Sequence, residues 1–317
     1  MWQKRQFELL RDEIAVALAS LAEVADLQSL VRQPLSQPRR GLAALSADGR
    51  PWPLLPLIVC EAICGSYRHA LPAAAAIQLF MAAGDVFDDI EDADSSESLS
   101  ARYGPAVATN VATTLLSLAE KSITRLKDRG VADSVIVRVT DAVNSFFMSA
   151  CAGQHLDLSL SSDIAISEDD YLRVVGMKSA SQVECACHIG ALLANERQEL
   201  VDIFAKFGHN LGMAAQITND IRGVTRGSDI LEHKNTLPVI YALTQAEGES
   251  RKQLELAFRK PSESVADPTQ IRDLLFRIGA IHYTTIKTEF YKQLALDNLS
   301  EIERHGTSVE RLKSFLE

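Results

Sequence analysis

Apolar residues recur every three or four positions along most of this chain, the spacing of helices that bury one face. Period-two alternation bounded by tight turns is nearly absent. Asp48-Gly49 runs into Pro51 and Pro53, which suits a loop rather than a hairpin. The pattern predicts helices over residues 3–33, 54–65, 72–92, 104–127, 131–158, 168–193, 197–222, 236–246, 249–259, 268–295 and 299–316, with a loop over 34–53. Each break carries turn chemistry: Gly65-Ser66, the run 94–100, Arg129-Gly130, residues 161–163 and 223–229. No internal repeat or low-complexity linker divides the chain. The expectation is an all-α helical bundle forming one domain over residues 1–317.

Composition narrows the function. Hydrophobic residues are 47% of the 317, enough for a large core. The formal net charge of -10, with no basic cluster larger than Arg39-Arg40, argues against a nucleic-acid partner. An acidic protein that takes an anionic substrate must neutralise it locally, and bound metal is the usual means. The five cysteines are an odd number with no Cys-x-x-Cys pair, so they read as free thiols in a reducing compartment. Residues 2–5 lead into an amphipathic pattern carrying Glu8, Asp12 and Glu13, not into a signal sequence. The apolar stretches 54–64 and 70–83 are too short or too interrupted to span a bilayer. The reading is a cytoplasmic protein with no membrane span.

One segment concentrates charge. Asp85, Asp88, Asp89 and Asp92 fall at i, i+3, i+4 and i+7, a single stripe near the end of an apolar helix. Like charges repel there, and the C-terminal end of a helix disfavours anions. Hard divalent cations would compensate; a solvated acidic helix end is the plain alternative. Further polar patches follow: Gln154 with Asp157, Lys178-Ser179, Gln216 with Asn219 and Asp220, then Asp229 and Lys234. Singly, each suits the outer face of an amphipathic helix. Together they supply metal-binding oxygens from two places and ammonium groups from two others. A buried diphosphate–magnesium cluster needs that set.

In order and spacing these motifs resemble the isoprenyl diphosphate synthases over residues of about 42–245. Asp88-Asp89-Ile90-Glu91-Asp92 looks like their first aspartate-rich motif. The segment Gly153-Gln154-His155-Leu156-Asp157-Leu158 looks like their Gly-Gln-x-x-Asp-Leu helix, and Lys178-Ser179 like their Lys-Thr/Ser pair. Gln216-Ile217-Thr218-Asn219-Asp220 is similar to the start of their second motif, and Asp229 with Lys234-Asn235-Thr236-Leu237-Pro238 to their Asp…Lys-x-Thr-Leu-Pro run. The resemblance implies a class I isoprenoid-synthase helical bundle around an apolar cavity, three Mg²⁺ ions and a homodimer. It implies that Asp88, Asp89, Asp92, Asn219 and Asp220 hold metal. Gln154, Asp157, Lys178, Gln216 and Lys234 would then meet an allylic prenyl diphosphate.

The departures bear on the second substrate. Where elongating members carry Gly-Lys-Arg-x-Arg-Pro, this chain reads Asp48-Gly49-Arg50-Pro51-Trp52-Pro53, so only Arg50 survives of that diphosphate grip. No Arg-Arg-Gly follows the first motif, and Met81 stands where an acceptor-site histidine is expected. Each lost charge-assisted contact costs roughly 1.5–3 kcal/mol of binding. In the second motif, Asn219 opens the run as in terpene cyclases, yet Gly223 and Gly227 occupy the places of their Ser/Thr and Glu. The pattern also resembles a divergent bacterial branch that includes competence-pheromone prenyltransferases and synthase-like terpene cyclases. Ala82, Ala83 and Gly84, small residues before the first motif, leave depth for a prenyl chain or simply let helices pack closely.

The expected reaction is Mg²⁺-dependent ionisation of the allylic diphosphate. Capture of the cation within its own chain, as in a terpene synthase, ranks first. Transfer to a peptide or aromatic acceptor comes second and chain elongation third; a silent regulatory subunit is the remaining alternative. None of the seven histidines forms His-Glu-x-x-His, and none is expected in a Cys/His zinc cluster.

Overall fold

The computed structural model describes residues 2–36, 52–92, 96–160, 166–194, 197–258 and 267–317, and no strand occurs among them. The α-helices are α1 (Trp2–Leu18), α2 (Ala25–Leu35), α3 (Leu55–Cys64), α4 (Leu71–Asp92), α5 (Leu99–Tyr103), α6 (Pro105–Thr124), α7 (Asp133–Leu160), α8 (Glu168–Val175), α9 (Ser181–Ala194), α10 (Gln198–Arg226), α11 (Ser228–Leu231), α12 (Leu237–Gln245), α13 (Gly248–Phe258), α14 (Pro268–Arg277), α15 (Ala280–Arg304) and α16 (Glu310–Lys313). Local chemistry sets many of their ends. Ser167 and Asp170 form a reciprocal capping box at the start of α8. The Asp267 side chain accepts from the Thr269 amide to start α14. Gly65 closes α3 in the left-handed conformation, at φ 72°.

Several elements differ from the periodic pattern; the break expected between 295 and 299 is absent, since α15 runs to Arg304 and only the short α16 follows. The helix expected over 168–193 is interrupted by a π-helical turn, Gly176–Ala180. Gly223 does not end its helix; α10 continues to Arg226. A break at Gly279, with φ 84°, separates α14 from α15. The N-terminal helix divides at a short 3-10 turn, Ala19–Leu21.

Contacts divide the chain into two compact units. The first comprises Met1–Phe147, Gln182–Gly208 and Asn298–Glu317, the second Met148–Ser181 and His209–Asp297. In the first, α4 packs along α6 through Ala73, Ala75, Ala76, Val111, Ala112 and Leu115, all fully buried. Glu13 of α1 is buried and paired with Arg125 at 2.9 Å and Arg129 at 2.7 Å. Glu61 of α3 accepts from Gln6 at 2.7 Å and pairs with Arg311, tying α1 and α16 to α3. In the second unit, α12, α13 and α14 close over Val239, Leu254, Phe258 and Leu275, and Tyr241 stacks on Tyr283 at 4.2 Å.

Two helices are apolar and long enough to cross a bilayer, which the chain's interrupted apolar stretches did not suggest: Arg68–Asp92 and Asp133–Leu160. The polar residues that break the pattern do not break the helices. The apolar window of the first is 78% buried in the fold, as in a core helix; that of the second is only 11% buried.

Candidate active site

In the first unit the acidic stripe is a surface of α4. The helix is sealed up to Ala83 except at Met81; Gly84, Asp85, Asp88 and Asp89 are half-buried and Asp92 is exposed. Met81, Gly84, Asp85, Asp88 and Asp92 fall at i, i+3, i+4, i+7 and i+11, so one face of α4 leaves the core. A methyl group added at Gly84 would meet nothing within 4 Å, whereas Ala83 is fully buried. Gly84 thus has open space beside it, while Ala82 and Ala83 are buried. Arg50 lies outside the described residues. Trp52 sets its ring against Phe315 with centroids 5.6 Å apart, an aromatic contact where the family pattern has an arginine.

In the second unit the other motifs converge on two constructions. The first joins α7 to the π turn. A side chain at Gly153 would overlap the backbone of Met177 and Lys178, so only glycine lets the turn approach. The Lys178 ammonium then donates to Asp157 at 2.8 Å. The side-chain amide nitrogen and oxygen of Gln154 are both buried and have no hydrogen-bond partner among the described residues. A buried amide without partners is costly, so this place calls for a further polar partner. π turns inside helices are frequent at functional sites for the same reason: they leave backbone and side chains displaced from the regular ladder.

The second construction surrounds Asp220, 4% exposed. One of its oxygens accepts from the Tyr171 hydroxyl at 2.6 Å and the Leu237 amide at 3.2 Å, the other from Gln216 at 3.0 Å. Burial pushes its carboxyl up to about 6, against those hydrogen bonds, which favour the anion. Burial first, then the adjacent Asp220, raises the Tyr171 phenol. Three protein donors thus occupy Asp220, and Gln216 is spent on it. Its neighbour Asn219 is exposed.

Beyond this point the Asp229 carboxylate lies where a Gly223 side chain would be, and burial pushes its pKa up, toward the neutral form. Gly227 has φ 86°, a conformation L side chains rarely adopt. Lys234 pairs with Glu232 at 2.8 Å. The backbone before it is pinned by His233, in a left-handed conformation at φ 54°, whose ring bonds the Ala257 carbonyl at 2.7 Å. Tyr171, His233 and Glu232 escaped the motif reading. Tyr171 is 49 positions from its partner, and no spacing rule links them.

The donors at Asp88, Asp89, Asp92 and Asn219 are all hard oxygens, and the orphaned Gln154 amide calls for a polar ligand; this chemistry fits magnesium and a diphosphate. Comparison with known proteins agrees. The family profile for polyprenyl synthetase matches residues 45–275. A geranylgeranyl diphosphate synthase of Mycobacterium tuberculosis is 27% identical over 250 residues, 74% of this chain and 70% of that protein. The tryptophan prenyltransferase ComQ of Bacillus spizizenii is 25% identical over 238 residues, 74% of this chain and 81% of its own. In fold, a geranylgeranyl pyrophosphate synthetase from Pyrococcus horikoshii superposes with a TM-score of 0.83 at 20% identity, covering 100% of this chain and 97% of that one. The chain belongs to the polyprenyl synthetase family, whose members are Mg²⁺-dependent enzymes of the prenyltransferase type.

Proposed function

We propose that the protein transfers the prenyl group of an allylic prenyl diphosphate to isopentenyl diphosphate, elongating the chain. The observation that carries the first half is the π turn: it sets Lys178, braced by Asp157, against the stretch of α7 that holds the partnerless Gln154 amide. The second half rests on the relatives. Most of the similar proteins are geranylgeranyl or geranylfarnesyl diphosphate synthases. Terpene cyclisation, placed first from the sequence, loses ground. The metal-motif side chains it would need at positions 223 and 227 are shut out by the Asp229 carboxylate and by a left-handed backbone.

Magnesium, with three ions as the proposed number, supplies positive charge against the departing diphosphate. Asp88, Asp89 and Asp92 of α4, and Asn219 of α10, are the residues that would ligate metal. Asp220 is a positioning residue that anchors Asn219 through Tyr171 and Leu237. Lys178 and Lys234 would meet phosphate oxygens with their ammonium groups. Gln154 supplies an amide to the substrate. Gly84 leaves room for the prenyl chain.

A different acceptor is the second reading. Trp52 on Phe315 replaces a charged contact, and one relative is named for tryptophan prenylation. Incubation with Mg²⁺ and geranyl, farnesyl or geranylgeranyl diphosphate, with and without isopentenyl diphosphate, tests both. Longer diphosphates formed only with isopentenyl diphosphate are expected. A hydrocarbon or alcohol formed in its absence would restore the cyclase reading. Pyrophosphate release with prenol alone, unaffected by isopentenyl diphosphate, would favour the other acceptor. The double variant Asp88→Asn, Asp92→Asn should release no pyrophosphate; undiminished release would remove the stripe from catalysis.

A further inference from the structure

We propose that Cys60, Cys64 and His69 form a second cation site, selective for a thiophilic metal such as Zn²⁺ and separate in chemistry from the oxygen donors of α4. The cluster lies in the first unit, and ordinary helix geometry builds it. Cys60 and Cys64 are four apart on α3, so their side chains share a face. Gly65 ends the helix in the left-handed conformation, and a 3-10 turn, Arg68–Ala70, carries His69 back over that face.

The distances suit one ion. The two sulfurs are 4.0 Å apart and the Cys60 sulfur is 3.3 Å from His69 Nε2. All three ligand atoms fall within 4.8 Å of one another. Zn–S bonds of about 2.3 Å and Zn–N bonds of about 2.0 Å at tetrahedral angles place S···S at ~3.8 Å and S···N at ~3.5 Å. The two observed separations straddle those values, and the third, Cys64 to His69 within 4.8 Å, comes to ~3.5 Å by side-chain rotation. The Cys64 thiol donates to the Cys60 and Ser66 carbonyls, and His69 Nε2 also lies 3.3 Å from the Leu193 carbonyl. Thiol hydrogen bonds are weak, and a metal would replace these contacts. Cys60 is fully buried and Cys64 is exposed, so the ion would sit at the surface end of the cluster with solvent completing its fourth position.

Thiolate and imidazole select Zn²⁺ over Mg²⁺, and a carboxylate stripe does the reverse. The two sites therefore load independently. The ion would latch the end of α3 to the His69 turn and, through it, to the C-terminal end of α9.

Cobalt(II) is the probe, because tetrahedral thiolate coordination gives intense visible bands and a sulfur-to-cobalt charge-transfer absorption. The full-length protein, reduced and stripped with chelator, is titrated with Co²⁺ and then back-titrated with Zn²⁺. One equivalent per chain should produce these bands, and one equivalent of Zn²⁺ should bleach them. Cys64→Ser, at an exposed position, and His69→Gln should each abolish the charge-transfer band. Cys151→Ser and the double variant Asp88→Asn, Asp92→Asn should keep it. Thermal denaturation should show Zn²⁺ raising the Tm of the parent protein and not of Cys64→Ser. No charge-transfer band in the parent overturns the proposal. So does a band that survives in both Cys64→Ser and His69→Gln, or one that is lost with the aspartates.

Discussion

Asp220 is legible as a motif residue, and the fold surrounds it with protein donors that no motif shows. Its carboxylate is enclosed by Tyr171, Gln216 and the Leu237 amide, so its chemistry is stability first. A carboxyl raised from 3.8 to about 6 on folding favours the folded state most below its unfolded value. That contribution is lost as pH rises through 6 and amounts to roughly 3 kcal/mol over the window. In chelated protein, the stability difference between the parent and Asp220→Asn should therefore change between pH 4 and pH 6, with the parent losing ground as pH rises. Denaturant unfolding at several pH values would show it; a pH-independent difference would mean that Asp220 titrates normally. Lys178 is the contrasting residue, half-exposed and aimed by Asp157. Lys178→Met should raise the KM for the allylic diphosphate about tenfold to a hundredfold, the worth of one charge-assisted hydrogen bond. The change should leave the melting temperature little altered.

At the scale of elements, glycines divide into those that admit a neighbour and those that admit a ligand. Gly153 admits the π turn, because any side chain there strikes the Lys178 backbone. Gly153→Ala should cost about 1–3 kcal/mol of stability, as overpacking does, and should weaken substrate binding with it. Gly84 touches nothing, so Gly84→Phe should fold normally. Such a ring would fill the space before the acidic stripe and shorten the longest prenyl chain accepted or made. Product analysis by mass spectrometry reads this directly, and unchanged chain length would place the prenyl group elsewhere. The π turn itself was invisible to periodicity. One extra residue in a helical stretch shifts the pattern by less than a third of a turn, within the tolerance of an amphipathic face.

For the whole molecule, α7 is the exposed question. Its apolar window is largely uncovered, with Val137 67% and Met148 65% exposed, eleven positions apart on one face. The homodimer implied by the family resemblance would cover such a face. Light scattering should give twice the chain mass for the parent protein, and Val137→Glu with Met148→Glu should shift it toward one chain. A parent protein that is monomeric at micromolar concentration would leave α7 to another partner.

The all-α class and the order of the functional motifs were fixed by local information. Period-3.6 patterning, turn residues at the breaks and short-range spacings such as Asp88 to Asp92 survive without any knowledge of packing. Only tertiary structure decided what those residues do. It spent Asp220 and Gln216 on a buried network, gave Asp157 to Lys178 and laid Asp229 over Gly223. It also gathered Cys60, Cys64 and His69, the cysteines being free thiols as their number and spacing implied. Their spacing held one short-range signal, the i, i+4 cysteines; the third ligand depended on the Gly65 turn. The physical reason is common to all of these. A hydrogen bond or a metal cluster joins side chains by distance in space, and a sequence pattern reports distance only within a single helix.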